Sequence, residues 1–348
     1  MLHRRLLLTG AALAAPALVT PRRAAAQEVT LRLHHFLPAV SNVHRHFLVP
    51  WTNKVREESG GRLRIQIFPS MQLGGAPPQL YDQAKDGVAD IVWTLPGNTP
   101  GRFPRIEVIE LPFIAHKRAS VNARVTWRMF DRHMRPDFAE THILCAWAHD
   151  HGLIHARREV KTMDDLRGLK LRFPTRQAGE ALRALGATAI GMPVPQVPEA
   201  LSQGVIDGAV VPWEIVPSIR IHEMVRHHVG IPGSPTLYTA SFILAMNKAR
   251  YDGLDPDLRR VLDANSGEVA AIMASRVWDE EGPKVEEMVR RRGNAITEIT
   301  AEEKARWQAA TAPVVQAWIG QMRERSIDGA ALVEETRALV AQLGQGVS

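Results

Sequence analysis

Between residues 161 and 214 the chain changes its hydrophobic period every few residues, and such a stretch has to build layers of short strands against short helices. The run is KTMDDLRGLKLRFPTRQAGEALRALGATAIGMPVPQVPEALSQGVIDGAVVPWE. Asp164 and Asp165 open a helical turn that Gly168 stops, LKLRF reads as a strand broken at Pro174, and a helix continues through Ala184. A second short strand carries Met192, another helix ends at Gly204, and the strand VIDGAVV follows. The expected product is a small α/β lobe.

Within that lobe Arg172 shares a strand face with Lys170, opposite Leu169, Leu171 and Phe173, and stands just before Pro174. Strand ends are where ligands meet α/β sheets. A guanidinium there offers a planar fork of donors that matches a carboxylate through two parallel bonds, which a lysine cannot do. A solvated surface arginine is the other reading of the same residue.

The rest of the chain supplies a second lobe. A length of 348 residues with 45% apolar content exceeds one ordinary core. Val29, Leu31, Leu33 and His35 alternate along a first strand that Pro38 ends, and a helix is expected over residues 46–59 with Gly60 and Gly61 as its stop. Leu63, Ile65 and Ile67 mark the next strand, residues 77–87 a helix with Pro77 and Pro78 in its first turn, and ADIVWT a third strand. His35, Phe36 and Trp93 stand at the ends of the first and third strands, where they would line one wall of a cleft. Residues 95–105 read as loop, 119–138 as helix and ILCAWA as a buried strand. In HDHGLIHARREV, strand alternation would put His149 and His151 on one face with His155 beyond, either as metal ligands or as a polar rim. TASFILAMN is expected to return to the first lobe. The tail is expected to be helical, with Leu258, Val261, Leu262, Val269, Ile272, Met273 and Val277 on one stripe, a kink or break at Gly282 and Pro283, and two more helices over residues 301–344.

Arg4 and Arg5, an apolar run from Leu6 to Val19 and the small residues Ala24, Ala25 and Ala26 read as an export leader over residues 1–26. The run is shorter than the roughly twenty residues a membrane span needs, and the arginine pair also admits the twin-arginine route. Four of the arginines behind the net charge of +6 lie in this leader, which holds no acid, so the mature chain is close to neutral. No basic run with interleaved aromatics is left to suggest nucleic acid. Cys145 is the single cysteine, so no intrachain disulfide forms, and its apolar setting reads as a buried small hydrophobe.

DLRGLKLRFP, LGATAIGMP and EALSQGVIDGAVVP, with LRLHHFLPAVSNVH, GGRLRIQIFPSMQLGG, DGVADIVWT and the LPFI after Glu110, together resemble the substrate-binding subunits of TRAP (tripartite ATP-independent) transporters, carriers of organic acids. The resemblance covers nearly the whole mature chain. It implies a two-lobed α/β periplasmic-binding-protein fold with a ligand cleft between lobes and C-terminal helices spanning both. Lobe I would comprise residues 27–150 with 238–278, and lobe II residues 151–237 with 279–348. It also implies a periplasmic monomer without a cofactor that hands its ligand to membrane permease subunits, with Arg172 clamping the ligand carboxylate. The site residues expected beside Arg172 are Trp213, Phe36, His35, Trp93, His151, Glu214 and Phe173.

The chain also departs from that family. Some relatives carry a second arginine between the positions of Arg135 and Arg157, where this chain has none and His151 is the nearest polar substitute. Val211 stands where the family often has an asparagine before the proline, and Trp213 and Glu214 follow it. The resemblance to relatives that bridge a 2-oxo acid through a cation makes Glu214 a metal-ligand candidate. These exchanges make the pocket more apolar and point to a monocarboxylate with a hydrophobic or aromatic body, a 2-oxo or 2-hydroxy acid among them. Two other functions fit the residues: an exported metal-dependent enzyme using His149, His151 and His155, and a binding protein for an ATP-driven or sensory partner. No GxSxG elbow, P-loop or HExxH motif supports the enzyme.

Overall fold

The computed structural model describes residues 28–347, so the expected leader lies outside the described residues. Within them the strands form two sheets. The first is ordered β2-β1-β3-β10-β4, from β1 (Val29–His35), β2 (Leu63–Phe68), β3 (Ile91–Thr94), β4 (Thr141–Ala148) and β10 (Ser241–Asn247). The second is ordered β11-β9-β5-β8-β6-β7, from β5 (Leu153–Ala156), β6 (Lys170–Phe173), β7 (Thr188–Gly191), β8 (Gly208–Val211), β9 (His227–Gly230) and β11 (Ala295–Glu298). β1 runs parallel to β2 and β3, as the β-α-β reading requires, while β10 is antiparallel to β3 and β4. In the second sheet β6 is parallel to β7 and β8, and β5 is antiparallel to β8 and β9.

Helices α1 (Val49–Glu58), α2 (Leu80–Lys85) and α3 (Ala119–Met129) serve the first sheet, and α4 (Arg176–Ala184), α5 (Val197–Ser202) and α6 (Ile221–Met224) belong to the second half. After β10 come α7 (Lys248–Asp252), α8 (Pro256–Ala264), α9 (Gly267–Arg291), α10 (Ala301–Glu324) and α11 (Gly329–Gly344). The chain passes from one sheet to the other at residues 149–152, returns at 231–240, and leaves again along α9, which packs on α3 and β4 and also on the turn at Trp213–Ile215. α10 packs on α4 and α11 on α3, so the tail is fastened to both halves. Among the described residues no helix is long and apolar enough to cross a membrane.

Several local expectations change for physical reasons. The helix expected from residue 46 begins earlier, at residue 42, and passes through a π turn at His44–Leu48 that leads to Pro50, a residue with no N–H to give the preceding turn. Residues 119–138 are helical but of three kinds, with a π turn at Phe130–Met134 and a 3-10 turn at Arg135–Phe138 around Pro136. α9 runs through Gly282 and Pro283 as one helix, so the expected break does not occur. The single stripe from Leu258 to Val277 is also corrected. A turn at Gly267, with φ of 66°, separates α8 from α9, and Val269 is 54% exposed. The buried face of α9 opens with Ala270, Ala271, Ala274 and Ser275, small residues that let Trp278 come close to the first sheet, and continues through Gly282, Val285 and Val289.

Phe173 leaves β6 on the side opposite Arg172, as strand alternation demands, and lies over α4 and β7. A Cβ added to Gly179 would come within 2.8 Å of its ring, and so would one at Gly191, while the Arg183 guanidinium lies 5.3 Å from its centroid. In a helix an alanine for glycine normally gains about 0.5–1 kcal/mol, whereas overpacking a filled core costs about 1–3 kcal/mol. The second effect should win, so Gly179→Ala is expected to lower the melting temperature in a calorimetric scan. A rise would mean that the Phe173 ring is free to move aside.

Candidate functional site

A cavity of about 50 Å³ lies where the two sheets face each other. The first sheet contributes Phe36 and Trp93 from strand ends and Phe242 from β10. The second contributes Arg172, Val210, Val211, Glu214 and Ile215, and Trp278 of α9 closes one side. The aromatic wall is continuous: Phe36 meets Trp93 at 4.9 Å between centroids, Trp93 meets Phe242 at 5.6 Å, and Phe242 meets Trp278 at 5.5 Å. Such a wall offers a ring-shaped ligand apolar contact along its length.

Arg172 is the only cation lining this cavity among the described residues, and it is 2% exposed. Its Nε donates to the Met192 carbonyl at 2.8 Å and its Nη1 to the Val210 carbonyl at 3.3 Å, which fixes the fork against the ends of two strands. Burial lowers its pKa to about 10, so it stays cationic at neutral pH. No carboxylate of the described residues pairs with it. Tyr238, on the return crossing between sheets, faces the guanidinium, and burial raises its phenol well above the usual range. The Tyr238 hydroxyl is buried without a partner among the described residues. Its ring lies on Gly152, where an added Cβ would fall 1.8 Å from a ring carbon, so only glycine fits there. A buried cation without a counter-ion and a phenolic donor without an acceptor among the described residues are expensive until an anion joins them.

Glu214, in the turn after β8, is 2% exposed. Its Oε1 accepts the Val43 N–H at 3.3 Å, and its backbone carbonyl accepts from Asn42 Nδ2 at 3.0 Å. Residues 42 and 43 open the helical segment after β1, so these bonds tie the second half to the first beside the cavity. Burial, helped by Asp150 and Glu281, pushes the Glu214 pKa up to about 8. Asp150 is pushed up to about 7, mainly by burial, and its Oδ1 has no partner. It lies toward a second, polar cavity behind Trp278, lined in part by Lys117, His151, Trp213, Asp279 and Arg290.

Of the residues singled out in the sequence, Arg172, Phe36, Trp93 and Glu214 line the first cavity. Trp213 and His151 line the second instead; Trp213 packs edge-on to His155 at 5.2 Å, and His151 Nδ1 lies 3.3 Å from the Lys117 carbonyl. His35 sits under Trp93, hydrogen-bonded to His44 at 2.9 Å, and is a buried support. Phe173 is on the far face of β6.

The histidine constellation does not converge. β4 ends at Ala148 and β5 begins at Leu153, so His149 and His151 lie in the crossing and share no strand face. The His149 Nδ1–H donates to the Asp150 carbonyl at 2.8 Å, and the ring packs against Tyr238 and Trp278. His155 points elsewhere, to His228 at 2.6 Å and the Val211 carbonyl at 3.1 Å. Among the described residues no group of three or more His, Cys, Asp or Glu side chains could hold a metal ion. Trp278 and Phe242 line the cavity without having been singled out. The run of small residues before Trp278 was the available signal.

A family model described as DctP, bacterial extracellular solute-binding protein, family 7, matches residues 33–321. The chain is similar to a TRAP solute-binding protein from Rhodoferax ferrireducens in complex with copurified benzoate, at 44% identity over 92% of this chain and 100% of that one, with a TM-score of 0.89. It is also similar to a marine metagenome TRAP solute-binding protein specific for aromatic acid ligands, solved with 3-hydroxybenzoate, at 40% identity over 91% and 99% of the two chains, TM-score 0.89. A third, from Bordetella bronchiseptica with bound (R)- and (S)-mandelate, is 26% identical over 90% and 99%, TM-score 0.84.

Buried titratable groups around the cavity set a pH window. Burial lowers His35 and His149 to about 3 and His228 to about 4, below an ordinary value of 6.5. The stability they lend is present above about 6.5 and lost as pH falls toward 4 and 3. Burial raises Glu110, which accepts the Ser241 N–H at 3.0 Å, and Glu214 to about 8 from an ordinary 4.5. Their contribution is present below about 4.5 and lost as pH rises through 8. Scanning calorimetry on ligand-free protein should therefore find the melting temperature highest between about pH 4.5 and 6.5, falling on both sides. A steady rise from pH 6 to 9 would contradict these shifts.

Proposed function

Because the chain belongs to family 7 of the bacterial extracellular solute-binding proteins, the TRAP solute-binding proteins for organic acids, we propose that it captures an aromatic monocarboxylate between its two lobes and delivers it to a TRAP membrane permease. The observation that carries the reading is Arg172, a buried guanidinium without a counter-ion among the described residues that opens onto an aromatic-walled cavity. The ligand carboxylate takes the free edge of the fork and the Tyr238 hydroxyl, and the ring lies among Phe36, Trp93, Phe242 and Trp278. No step of chemistry is required, so the protein acts as a binder and not as an enzyme, in the periplasm and after export by the leader at residues 1–26.

A second carboxylate would meet Glu214 and, among the described residues, no further cation lining the cavity, which disfavours C4-dicarboxylates and sugar acids. The ligands of the similar structures, benzoate, 3-hydroxybenzoate and mandelate, carry one carboxylate on an aromatic body, in keeping with this reading. Arg172→Ala should cost about 2–5 kcal/mol in benzoate binding, roughly thirtyfold to several thousandfold in Kd, with Arg172→Lys also weakened by loss of the fork. Calorimetry on the folded variants, with succinate and malate beside benzoate and mandelate, checks both points. Wild-type affinity in Arg172→Ala, or a preference for succinate or malate, would reject the clamp or the pocket's polarity.

The lobes, residues 27–150 with 238–278 and 151–237 with 279–348, are proposed to close around the ligand with the crossings at 149–152 and 231–240 as hinge. The fastening of the tail to both α3 and α4 limits how far they separate. Solution scattering should record a smaller radius of gyration on adding benzoate. An unchanged profile at saturation would remove hinge closure from the account.

A further inference from the structure

Glu214 has a place in this cavity that binding of a carboxylate to Arg172 does not explain. It forms no ion pair with Arg172, and Asp150 and Glu281 are its charged neighbours. Of its two side-chain oxygens, Oε1 is held by the Val43 N–H, and Oε2 has no partner among the described residues. Its backbone carbonyl is fixed by Asn42, so the side chain starts from an anchored position. Around it the lining is almost wholly apolar, with Val211, Pro212, Ile215 and Trp278. With no hydrogen bond of its own, Oε2 keeps access to the cavity, where a bound molecule can supply the partner.

Resting on the reading of an aromatic acid clamped by Arg172, we propose that Glu214 is the specificity-determining residue that hydrogen-bonds a hydroxyl group on the ligand's ring, so that the protein prefers hydroxylated aromatic acids to unsubstituted ones. A carboxyl group serves this purpose in either protonation state. As an acid it donates to the hydroxyl oxygen, and as a carboxylate it accepts the hydroxyl proton. Its pKa near 8 favours the acid form at neutral pH, which keeps a second charge out of the apolar site. The Val43 bond comes from the other half of the molecule, so the carboxyl is aimed only when the halves are together. The hydroxyl is thus read in the closed state, after Arg172 has taken the carboxylate.

The test is calorimetry of the purified protein with benzoate, 3-hydroxybenzoate and 4-hydroxybenzoate, on wild type, Glu214→Leu and Glu214→Gln. At least one hydroxybenzoate should bind wild type roughly tenfold to a hundredfold more tightly than benzoate, the size expected when a hydrogen-bonding site is left unpaired. The ratio should fall close to one in Glu214→Leu and recover in Glu214→Gln, which keeps an acceptor for Val43 and a donor for the hydroxyl. Equal binding of all three acids by wild type, or a preference that survives Glu214→Leu, would overturn the role of Glu214 while leaving the Arg172 clamp standing. Binding of none of the three acids would overturn both. Should Glu214→Leu fail to fold, Glu214→Ala, which also removes the carboxyl, takes its place under the same expectation, and equal binding of the three acids by wild type still overturns the role.

Discussion

A guanidinium that is 2% exposed and has no acid paired with it among the described residues is the feature around which the rest of the molecule is arranged. Left alone it would be among the costliest groups a protein can bury. The fold reduces that cost with the Met192 and Val210 carbonyls, which hold two of its donors at strand ends and leave one edge of the fork for another anion. The short β6 is therefore not merely a sheet strand. Its alternation sends Arg172 to the cavity and Phe173 to the opposite layer, and the glycines at 179 and 191 exist to receive that second ring.

The same logic explains why the polar groups near the cavity sit where the chain changes sheets. A crossing has no ladder to satisfy its side chains, and residues 149–152 and 231–240 carry His149, Asp150, His151 and Tyr238 between the two halves. The Asp150 Oδ1 and the Tyr238 hydroxyl are buried there without partners. Orphaned polar atoms are rare in a settled core, and the Tyr238 hydroxyl beside the buried cation marks a place whose hydrogen bonding is completed by something other than the chain.

The layered architecture and the position of Arg172 were legible in the sequence because both depend on short-range periodicity. LKLRF alternates strictly, the proline after it stops the strand, and a two-residue period leaves no doubt about which side chains share a face. What depends on tertiary packing was not legible. His149 and His151 look like strand neighbours by spacing, but the strand ends one residue before His149 because the chain leaves the sheet. Trp213 and Glu214 are adjacent in sequence yet face different cavities, since a 3-10 turn rotates them apart. Trp278 was hidden inside a long helical pattern. Its meaning comes from the small residues beneath it, which allow a close approach that no periodicity records.

Electrostatic neutrality connects these points to selectivity. His155 gives its Nε2–H to the Val211 carbonyl, so its Nδ1 must accept from His228, whose own Nε2 then accepts from Asn294 at 2.9 Å. This ordered chain leaves both imidazoles uncharged behind the cavity wall. His149 is kept neutral by burial, Tyr238 by a raised phenol and Glu214 by a pKa near 8. Arg172 is then the one full charge facing the ligand among the residues lining the cavity at neutral pH. A site built this way is completed by a single negative charge. One anion cancels the guanidinium and leaves the enclosed volume neutral, whereas a second would have to be buried against walls from which every compensating charge has been removed.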